Sequence, residues 1–401
     1  MSGKVSPHFK WLFVVALFSI KLASVSIFAA ASDEITNLQE IEADKAWEIT
    51  KGVPEIVVAI LDSGIVFNSK LPTSARWENS AELAGEDGID DDHNGYIDDN
   101  YGWDFKDNDS DPSPESSLRY YTHGTSVTSV ISAAHDDGQE PLGLAPNVKI
   151  MHLRVHGGPL DHPPQLLDRV QKAIEYAIAN NAAAISMSIL FQVSATSTLL
   201  ATFAEAGQAG IPIITLAANS RMGFFSSINE NWTIGVTAQQ DLPVLPSPLP
   251  KYYLFASGMD IPAILPDGTA VGADGRCFAA PQVSGTIALM LSARNDLPIS
   301  YLGPILQHTT MHTTKDYLEQ EYEVDQLNVY QAVNAWKNFE NVFTVRNGEI
   351  VKRDTEESSS LIGGTIFLAL IAVGLIALIP KRQRKSLKKC LDQEKSICLN
   401  D

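Results

Sequence analysis

Cysteine is scarce in this chain, with three residues in 401. Cys390 and Cys398 both follow a long apolar segment near the C-terminus, which leaves Cys277 as the one thiol in the body of the sequence. A structural disulfide needs two cysteines in the same compartment, so the sequence excludes a body stabilised by intrachain disulfides.

Basic residues are also few outside two short segments. Residues 1–31 hold three of the 29 Lys and Arg residues, and the tail from Lys381 holds seven of them together with three Asp and Glu. Residues 32–380 therefore carry 19 basic and 45 acidic residues, a net charge of −26. A surface this acidic argues against nucleic acid as a partner and favours bound cations.

The first 31 residues have the layout of a secretory signal peptide. Lys4 and Lys10 precede the apolar run WLFVVALFSI, and the small residues Ala29–Ala31 follow it. A basic start, a short apolar run and small residues at the end are typical of a segment that is cleaved, here near Ala31. Because Lys21 interrupts the run, the alternative is an uncleaved N-terminal anchor.

Residues 361–380 form a second apolar segment, LIGGTIFLALIAVGLIALIP. About 20 such residues cross a bilayer as a helix, and the basic cluster at 381–389 is typical of the cytoplasmic side. We expect one C-terminal transmembrane helix at 361–380, a cytoplasmic tail at 381–401, and a body that is periplasmic or extracellular. The alternative is a sorting tail that is later removed, but the twelve residues after Lys389 favour a retained membrane anchor.

Short apolar strands alternate with helical periods between residues 32 and 340. Ile56–Leu61 is a continuous run rich in β-branched residues, which is typical of a buried parallel strand. Further strands are predicted at Val148–Val155, Ala184–Ile189 and Ile211–Ala217, with a helix at Leu166–Asn180. Strands separated by helices predict an α/β fold, a doubly wound parallel sheet with helices on both faces. Residues 341–360, which end in DTEESSS, are predicted to be a linker.

Three residues of this region carry chemistry. Ligands of an open α/β sheet collect at the carboxyl ends of its strands, and Asp62 directly follows the first strand. His123 opens the helix-like segment HGTSVTSV, and Cys277 opens CFAAPQVSGTIALML. An aspartate, a histidine and a nucleophile, each in a turn of small residues, indicate nucleophilic catalysis.

These segments resemble those of the subtilisin-like serine peptidases, the subtilases, over residues 35–335. The likeness lies in AWEITKG, VVAILDSGI, HGTSVTSVISA, LGLAP, AIEYAIANN, ISMS, LAAN and LNVYQAV. The resemblance implies a subtilisin-like fold and hydrolysis of a protein or peptide substrate by acyl transfer. Asp62 would orient His123, His123 would act as general base and then general acid, and residue 277 would attack the scissile carbonyl. The N–H of residue 277 and the Asn219 side chain would stabilise the oxyanion.

The nucleophile position departs from the family's pattern. The family's motif is Gly-Thr-Ser-Met-Ala-Ala-Pro, whereas this chain has Gly275-Arg-Cys-Phe-Ala-Ala-Pro281. Ser284 is no substitute, because seven residues of helix place it about 10 Å further along. A thiol at a helix N-terminus, beside a histidine and next to Arg276, lies where the thiolate is favoured. The alternative is that Cys277 is a small buried residue without reactivity.

The predicted substrate-binding strand also differs. The family usually has Ser-Leu-Gly-Gly where this chain has Ser188-Ile-Leu-Phe191, so we expect Leu190 and Phe191 to narrow the groove. Two functions are therefore predicted. One is a membrane-anchored endopeptidase with an Asp62-His123-Cys277 triad, and the other is an inactive subtilase-fold pseudopeptidase that acts as a peptide- or protein-binding module.

The acidic stretch DGIDDDHNGYIDDN at residues 87–100 predicts a metal site. Oxygen ligands at alternate positions and a turn glycine, Gly95, follow the start of an EF-hand loop, although the twelfth position is Tyr101 instead of glutamate. We expect a structural Ca²⁺ ion bound by Asp90, Asp92, Asn94, Tyr96 and Asp98. The alternative is a solvated acidic loop. The histidines His152, His156 and His162 show no metal-ligand spacing and receive no predicted role.

Overall fold

The computed structural model describes residues 36–116, 121–135, 143–157, 162–191, 193–222, 232–245 and 249–353. The predicted signal peptide at 1–31, transmembrane helix at 361–380 and tail at 381–401 lie outside the described residues. Within the described ranges, no helix has both the length and the apolar character needed to cross a membrane. The chain divides into two compact units, residues 1–339 and residues 340–401.

The first unit contains eleven strands among its described residues. They are β1 (Val57–Asp62), β2 (Gly102–Asp104), β3 (Lys149–Arg154), β4 (Ala184–Met187), β5 (Ile213–Leu216), β6 (Thr233–Thr237), β7 (Tyr252–Phe255), β8 (Ile261–Ile264), β9 (Ala270–Ala273), β10 (Met311–Tyr317) and β11 (Gln320–Gln326). Nine of them form one sheet in the order β10-β11-β7-β6-β5-β4-β1-β3-β2, and β8 and β9 form a separate antiparallel pair. All neighbours in the large sheet run parallel except β10 and β11. The mostly parallel sheet predicted from the apolar runs is confirmed.

Ten α-helices connect or cover these strands in the described residues. They are α1 (Asn37–Glu40), α2 (Ala43–Trp47), α3 (Ser80–Ala84), α4 (His123–Ser132), α5 (Pro163–Ala179), α6 (Ser197–Gln208), α7 (Ala279–Ala293), α8 (Leu302–His308), α9 (Val329–Lys337) and α10 (Phe339–Val342). The helix predicted at Leu166–Asn180 corresponds to α5. The helix α7 is buried at every position from Ala279 to Leu291, which its small and apolar residues allow on all sides.

Helices cover both faces of the sheet, as the doubly wound prediction requires. Successive residues of a strand point to opposite faces. Ala59 and Leu61 of β1 belong to a core cluster that includes residues of α5 and α6 such as Val170 and Phe203. On the other face, Ser284 of α7 donates a hydrogen bond of 2.8 Å to the hydroxyl of Ser186 on β4.

The register of the central strands shows where the candidate site lies, at the carboxyl edge of the sheet. Asp62 at the end of β1 is opposite Arg154 at the end of β3, and Leu61 is opposite Met187 at the end of β4. The residues that follow these three strands therefore meet at the same carboxyl edge.

The second unit is described for residues 340–353, and it corrects the linker prediction. Within this range β12 (Phe343–Arg346) and β13 (Glu349–Lys352) pair as an antiparallel hairpin. The connecting residues Asn347 and Gly348 both have positive φ, 53° and 82°, which is the conformation of the two-residue turns that hairpins favour. The prediction of a linker over 341–360 is wrong for these strands, and the stretch 354–360 lies outside the described residues.

Candidate active site

Asp62 ends β1 with a carboxylate that is 1% exposed. Such burial is costly unless hydrogen bonds satisfy the charge. Ser63 donates its backbone N–H to Oδ1 at 2.6 Å, and His123 Nδ1 lies 2.7 Å from the same oxygen. Burial by itself raises the pKa of Asp62, but the charge of His123 and these hydrogen bonds outweigh burial and hold that pKa below its ordinary value. Asp62 is therefore an ionised acceptor that orients the imidazole.

His123 is the first residue of α4, and its approach to Asp62 depends on the glycine that follows it. A Cβ atom at Gly124 would lie 2.1 Å from the carbonyl oxygen of Gly64, so a larger residue would push the helix away. Burial lowers the pKa of His123, whereas Asp62 and Cys277 raise it, and the net pKa lies well above the ordinary value. The imidazolium form of His123 is therefore favoured at neutral pH.

Cys277 lies in a single 3₁₀ turn, Arg276–Phe278, that leads directly into α7. Its thiol is partly buried and lies close enough to the His123 side chain to raise the pKa of that imidazole. Backbone N–H groups at the start of a helix favour negative charge. The structure thus brings Asp62, His123 and Cys277 together in the order that a proton relay requires.

Asn219, the predicted oxyanion donor, lies in the 3₁₀ turn Ala217–Met222 after β5 and is completely buried. Its Nδ2 donates to the carbonyl oxygen of Ile189 at 3.1 Å and to Thr215 Oγ1 at 3.2 Å. Its Oδ1 accepts the N–H of Phe191 at 2.9 Å. An oxyanion donor directs an N–H at the substrate oxygen, but both amide hydrogens of Asn219 are used by protein acceptors.

The segment 188–191 was expected to narrow the substrate groove through two side chains. Phe191 is 2% exposed and belongs to the core cluster beneath the sheet edge, so the expectation for Phe191 is wrong. Leu190 is 49% exposed and remains the side chain of this segment that can contact a substrate. Ser188 donates its hydroxyl to the carbonyl oxygen of Cys277 at 2.7 Å, which couples the segment to the nucleophile turn.

Arg276 was expected to favour a thiolate at the adjacent Cys277. Its guanidinium instead forms a salt bridge with Asp241, whose carboxylate is 1% exposed, and Nη2 lies 3.5 Å from the carbonyl oxygen of Gln240. A carboxylate this buried requires a cationic partner. Arg276 therefore anchors the turn that carries Cys277, and Asp241 neutralises most of the charge that was expected to act on the thiol.

Comparison with known proteins identifies a family whose model matches part of this chain. Residues 54–248 match the model of the Subtilase family. The matched segment contains Asp62 and His123, and it ends before the turn of Cys277. Residues 54–248 belong to the subtilase family.

Curated relatives support this assignment. Subtilisin-like protease 1 of Plasmodium berghei is 26% identical over 342 residues, which cover 77% of this chain and 56% of that protein. The thermophilic serine proteinase of Bacillus sp. strain AK1 is 27% identical over 267 residues, which cover 65% of this chain and 58% of that protein. The chain thus spans a little over half the length of these two relatives.

Solved structures show the same fold. MycP1 with its N-terminal propeptide removed aligns with a TM-score of 0.51 and 17% identity, over 75% of this chain and 98% of that one. A chain from a structure of subtilase cytotoxin SubAB assembly aligns with a TM-score of 0.55 and 17% identity, over 76% of this chain and 97% of that one. At this identity the likeness establishes the subtilisin-like α/β fold.

His156 is a residue of this subtilase site for which the sequence predicted no role. It lies two positions after the end of β3, and its Nε2 is 3.8 Å from Asp62 Oδ1. Its ring centroid lies 6.2 Å from that of His123. The signal was present in the strand pattern, because β3 pairs with β1 and so delivers its following residues to the same sheet edge.

His152 supports the loop that follows Asp62. It lies within β3, is 4% exposed, and its Nε2 accepts the backbone N–H of Ile65. Burial is the main cause that lowers the pKa of His152, to about 3. With a pKa of about 3, His152 is neutral at neutral pH, and it serves as a fixed hydrogen-bond acceptor.

The acidic stretch forms a compact loop in which two of the five predicted ligands meet. Asp90 and Asp92 converge with Glu82 of α3, and the three carboxylates offer oxygen atoms within 4.8 Å of one another. Glu82 is 6% exposed and accepts the backbone N–H groups of Asp91, Asp92 and Asp98. Sequence reasoning missed Glu82, because it precedes the loop and lies outside the EF-hand pattern.

The other predicted ligands of the loop make different contacts. The carboxylate of Asp98 accepts the N–H of Gly88 at 3.0 and 2.9 Å. Asn94 Oδ1 accepts the N–H of Tyr96 at 2.7 Å, and the Tyr96 ring packs edge-on against Trp103, with centroids 5.0 Å apart. Ligation by Asn94, Tyr96 and Asp98 stays a prediction, whereas the three carboxylates of Glu82, Asp90 and Asp92 fit the oxygen chemistry of Ca²⁺.

We expect the His152→Gln substitution to flatten the dependence of stability on pH between about pH 4 and 6.5. The pKa of His152 falls from 6.5 to about 3 on folding. In this range the unfolded chain binds a proton that the folded chain does not, so the free energy of unfolding decreases as the pH is lowered, by up to about 1.4 kcal/mol per pH unit. Glutamine can accept the Ile65 N–H but does not titrate.

The measurement is urea unfolding at a series of pH values. The matched control is His162→Gln at an exposed position, which should keep the slope of the original chain. An unchanged slope in His152→Gln would contradict the assignment of His152 as a neutral buried acceptor.

Proposed function

We propose that this chain is a subtilisin-like endopeptidase that hydrolyses protein or peptide substrates by acyl transfer through Cys277, His123 and Asp62. The observation that carries the proposal is the arrangement of the buried Asp62 carboxylate, the His123 imidazole and the Cys277 thiol, with Asp62 Oδ1 2.7 Å from His123 Nδ1 and the thiol close enough to raise the pKa of that histidine. Family membership supports the reaction class, because the relatives are named as proteases and proteinases.

In the first step of the proposed reaction His123 takes the proton of the Cys277 thiol as general base, and the raised pKa of His123 favours the protonated imidazole that results. Cys277 Sγ attacks the substrate carbonyl carbon, and the imidazolium then protonates the leaving amine to give an acyl-enzyme thioester. Water, deprotonated by His123, hydrolyses the thioester and restores the thiol. Asp62 remains ionised throughout and holds the imidazole in place.

The oxyanion would be stabilised at the start of α7, where the Cys277 backbone N–H and the helix dipole favour negative charge. For Asn219 to contribute, one of its two amide hydrogens must leave the Ile189 or Thr215 oxygen. A bound substrate that reorganises the 188–191 segment would release the Ile189 carbonyl. Oxyanion stabilisation by Asn219 is therefore coupled to occupation of the groove.

A second candidate function is peptide or protein binding without cleavage. The observation that favours it is the full commitment of the buried Asn219 amide to protein oxygens, which leaves the proposed oxyanion site short of one donor. Loss of one such donor typically lowers kcat by a factor of about 100 to 1,000. Both functions use the same groove, and they differ in whether Cys277 cleaves the bound peptide.

We expect Cys277→Ala to abolish peptide hydrolysis while leaving peptide binding and the free energy of unfolding nearly unchanged. His123→Ala should lower the rate of iodoacetamide alkylation of Cys277 at about pH 6.5 by about tenfold or more, because the imidazolium stabilises the reactive thiolate. Hydrolysis is measured with a mixture of fluorogenic peptides, and alkylation is measured by mass spectrometry.

His162→Ala is the matched histidine control and should leave both rates unchanged, since this side chain is exposed. Wild-type hydrolysis no faster than that of Cys277→Ala, together with intact peptide binding, would contradict the peptidase and support the binding module. Cys277→Ser adds an independent readout, because hydrolysis by the serine variant would show that the rest of the machinery is competent.

The proposed function includes a structural Ca²⁺ ion between Glu82, Asp90 and Asp92. We expect Ca²⁺ to raise the free energy of unfolding by about 2.7 kcal/mol at a concentration 100 times its dissociation constant. Asp92→Asn should remove most of this gain. The matched control is Asp87→Asn, an exposed carboxylate of the same loop, which should keep it. Calorimetric unfolding with and without EGTA measures the effect, and an equal gain in both variants would contradict the site.

The proposed location is the outer side of a cell membrane, with residues 361–380 as the anchor. The support is the apolar segment followed by basic residues, together with the acidic body. We expect the full chain to remain with membranes after extraction at high salt and high pH, and a chain ending at residue 353 to be released. A truncated chain that stays with the membranes would contradict the C-terminal anchor and favour the N-terminal one.

A further inference from the structure

Three side chains of the metal-binding type converge at the centre of the site. Asp62, His123 and His156 each offer a ligand atom within 4.8 Å of the other two. Their side chains are 1%, 17% and 11% exposed, so the cluster is largely shielded but reachable from solvent. The proposed hydrolytic relay uses the first two of these residues and gives no role to His156.

The position of His156 suits a shared ion better than a hydrogen bond. Its Nε2 lies 3.8 Å from Asp62 Oδ1, which exceeds hydrogen-bond reach. Two ligands that bind one Zn²⁺ ion at about 2.0–2.2 Å and at the tetrahedral angle are separated by about 3.3–3.6 Å. The two atoms therefore lie within about half an ångström of the separation that a common ion imposes.

Asp62 supplies a second, independent observation. Its Oδ1 is used by Ser63 and His123, but its Oδ2 is buried and has no hydrogen-bond partner among the described residues. Buried carboxylate oxygens without a partner are rare, since each leaves a charge poorly satisfied. A cation bound by both oxygens of the carboxylate would satisfy Oδ2 and would keep Oδ1 as the ligand nearest to His156 Nε2.

We propose that Asp62, His123 and His156 form a binding site for a divalent transition-metal ion, Zn²⁺ in the first instance, that reversibly blocks the catalytic centre. Two imidazole nitrogens and one carboxylate are a donor set that suits Zn²⁺, whereas Ca²⁺ prefers oxygen ligands alone. Only a neutral imidazole binds a metal ion, so the ion displaces the proton of His123 to solvent. Three protein ligands leave a fourth position for water. The binding of the ion does not depend on the proposed function; the inhibition rests on it, because the ion would occupy His123 and the aspartate that orients it.

Cobalt(II) is the probe for the site, because its visible spectrum reports coordination number and ligand type. The full chain is titrated with Co²⁺ in excess Ca²⁺, which occupies the acidic loop, and Zn²⁺ is then added. We expect one Co²⁺ per chain with the strong absorption of a four-coordinate site, displaced by an equimolar amount of Zn²⁺. His156→Phe should weaken binding by at least about tenfold, and His162→Phe, at an exposed position, should not change it.

Cys277→Ser separates this site from a simple thiol-metal contact. We expect the serine variant to keep its Co²⁺ affinity within about threefold, since the ligands are Asp62, His123 and His156. Binding that is lost in Cys277→Ser but unchanged in His156→Phe would overturn the proposal. Should His156→Phe fail to fold, His156→Gln removes the imidazole with a smaller change of shape, and unchanged binding in that variant would equally overturn it.

The inhibition is read separately from the binding. Zn²⁺ should suppress peptide hydrolysis by the full chain, and His156→Gln should require at least about tenfold more Zn²⁺ for the same suppression. If the chain binds Co²⁺ through His156 but hydrolyses no peptide, the metal site stands and the proposed peptidase function fails. If it hydrolyses peptides but binds no Co²⁺, the metal site fails alone.

Discussion

The buried carboxylate of Asp62 is the constraint on which the site depends. A charge that is 1% exposed at the end of a central strand has to be satisfied by neighbouring donors, and Ser63 and His123 supply them. This requirement draws the first turn of α4 against the end of β1, which in turn requires a residue without a side chain at Gly124. The histidine is thereby placed between the carboxylate and the thiol of Cys277. One buried charge thus fixes the relation between a strand, a helix and the nucleophile turn.

Two residues near Cys277 have sequence positions that suggest a catalytic role, but their side chains bind other protein groups instead. Arg276 is adjacent to the nucleophile, but the buried carboxylate of Asp241 captures its guanidinium. Asn219 has the position that the resemblance gives to the oxyanion donor, yet its amide donates hydrogen bonds to the Ile189 carbonyl and the Thr215 hydroxyl. Both residues hold backbone segments of the site in place. Arg276 and Asn219 can therefore act on a substrate only if the bound substrate displaces these internal contacts through a local rearrangement.

In both the acidic loop and the histidine pair, folding brings ionisable side chains close together. Carboxylates brought close by folding repel one another, and Glu82, Asp90 and Asp92 are held together by backbone N–H groups and by the loop itself. At the sheet edge, parallel strands collect side chains that are far apart in the chain, which is how His156 comes to face Asp62. In each case a cation would relieve an electrostatic cost that the fold imposes. The two clusters differ in donor type, oxygen alone in the loop and mixed nitrogen and oxygen at the sheet edge.

By itself, the sequence determined the fold class and the principal residues, because both depend on local patterns. Apolar runs predicted β1, β3, β4 and β5, helical spacing predicted α5, and small-residue turns marked Asp62, His123 and Cys277. The hairpin at 343–352 also has a local sequence signal, the Asn-Gly turn, but the sequence analysis did not predict it. Tertiary structure alone decided what each polar atom binds: the commitment of Asn219, the pairing of Arg276 with Asp241, and the approach of His156 and Glu82 to their clusters. Hydrogen bonds act over about 3 Å in space, whereas these partners are separated by 4 to 94 positions along the chain. Local sequence patterns do not specify which of such residues meet.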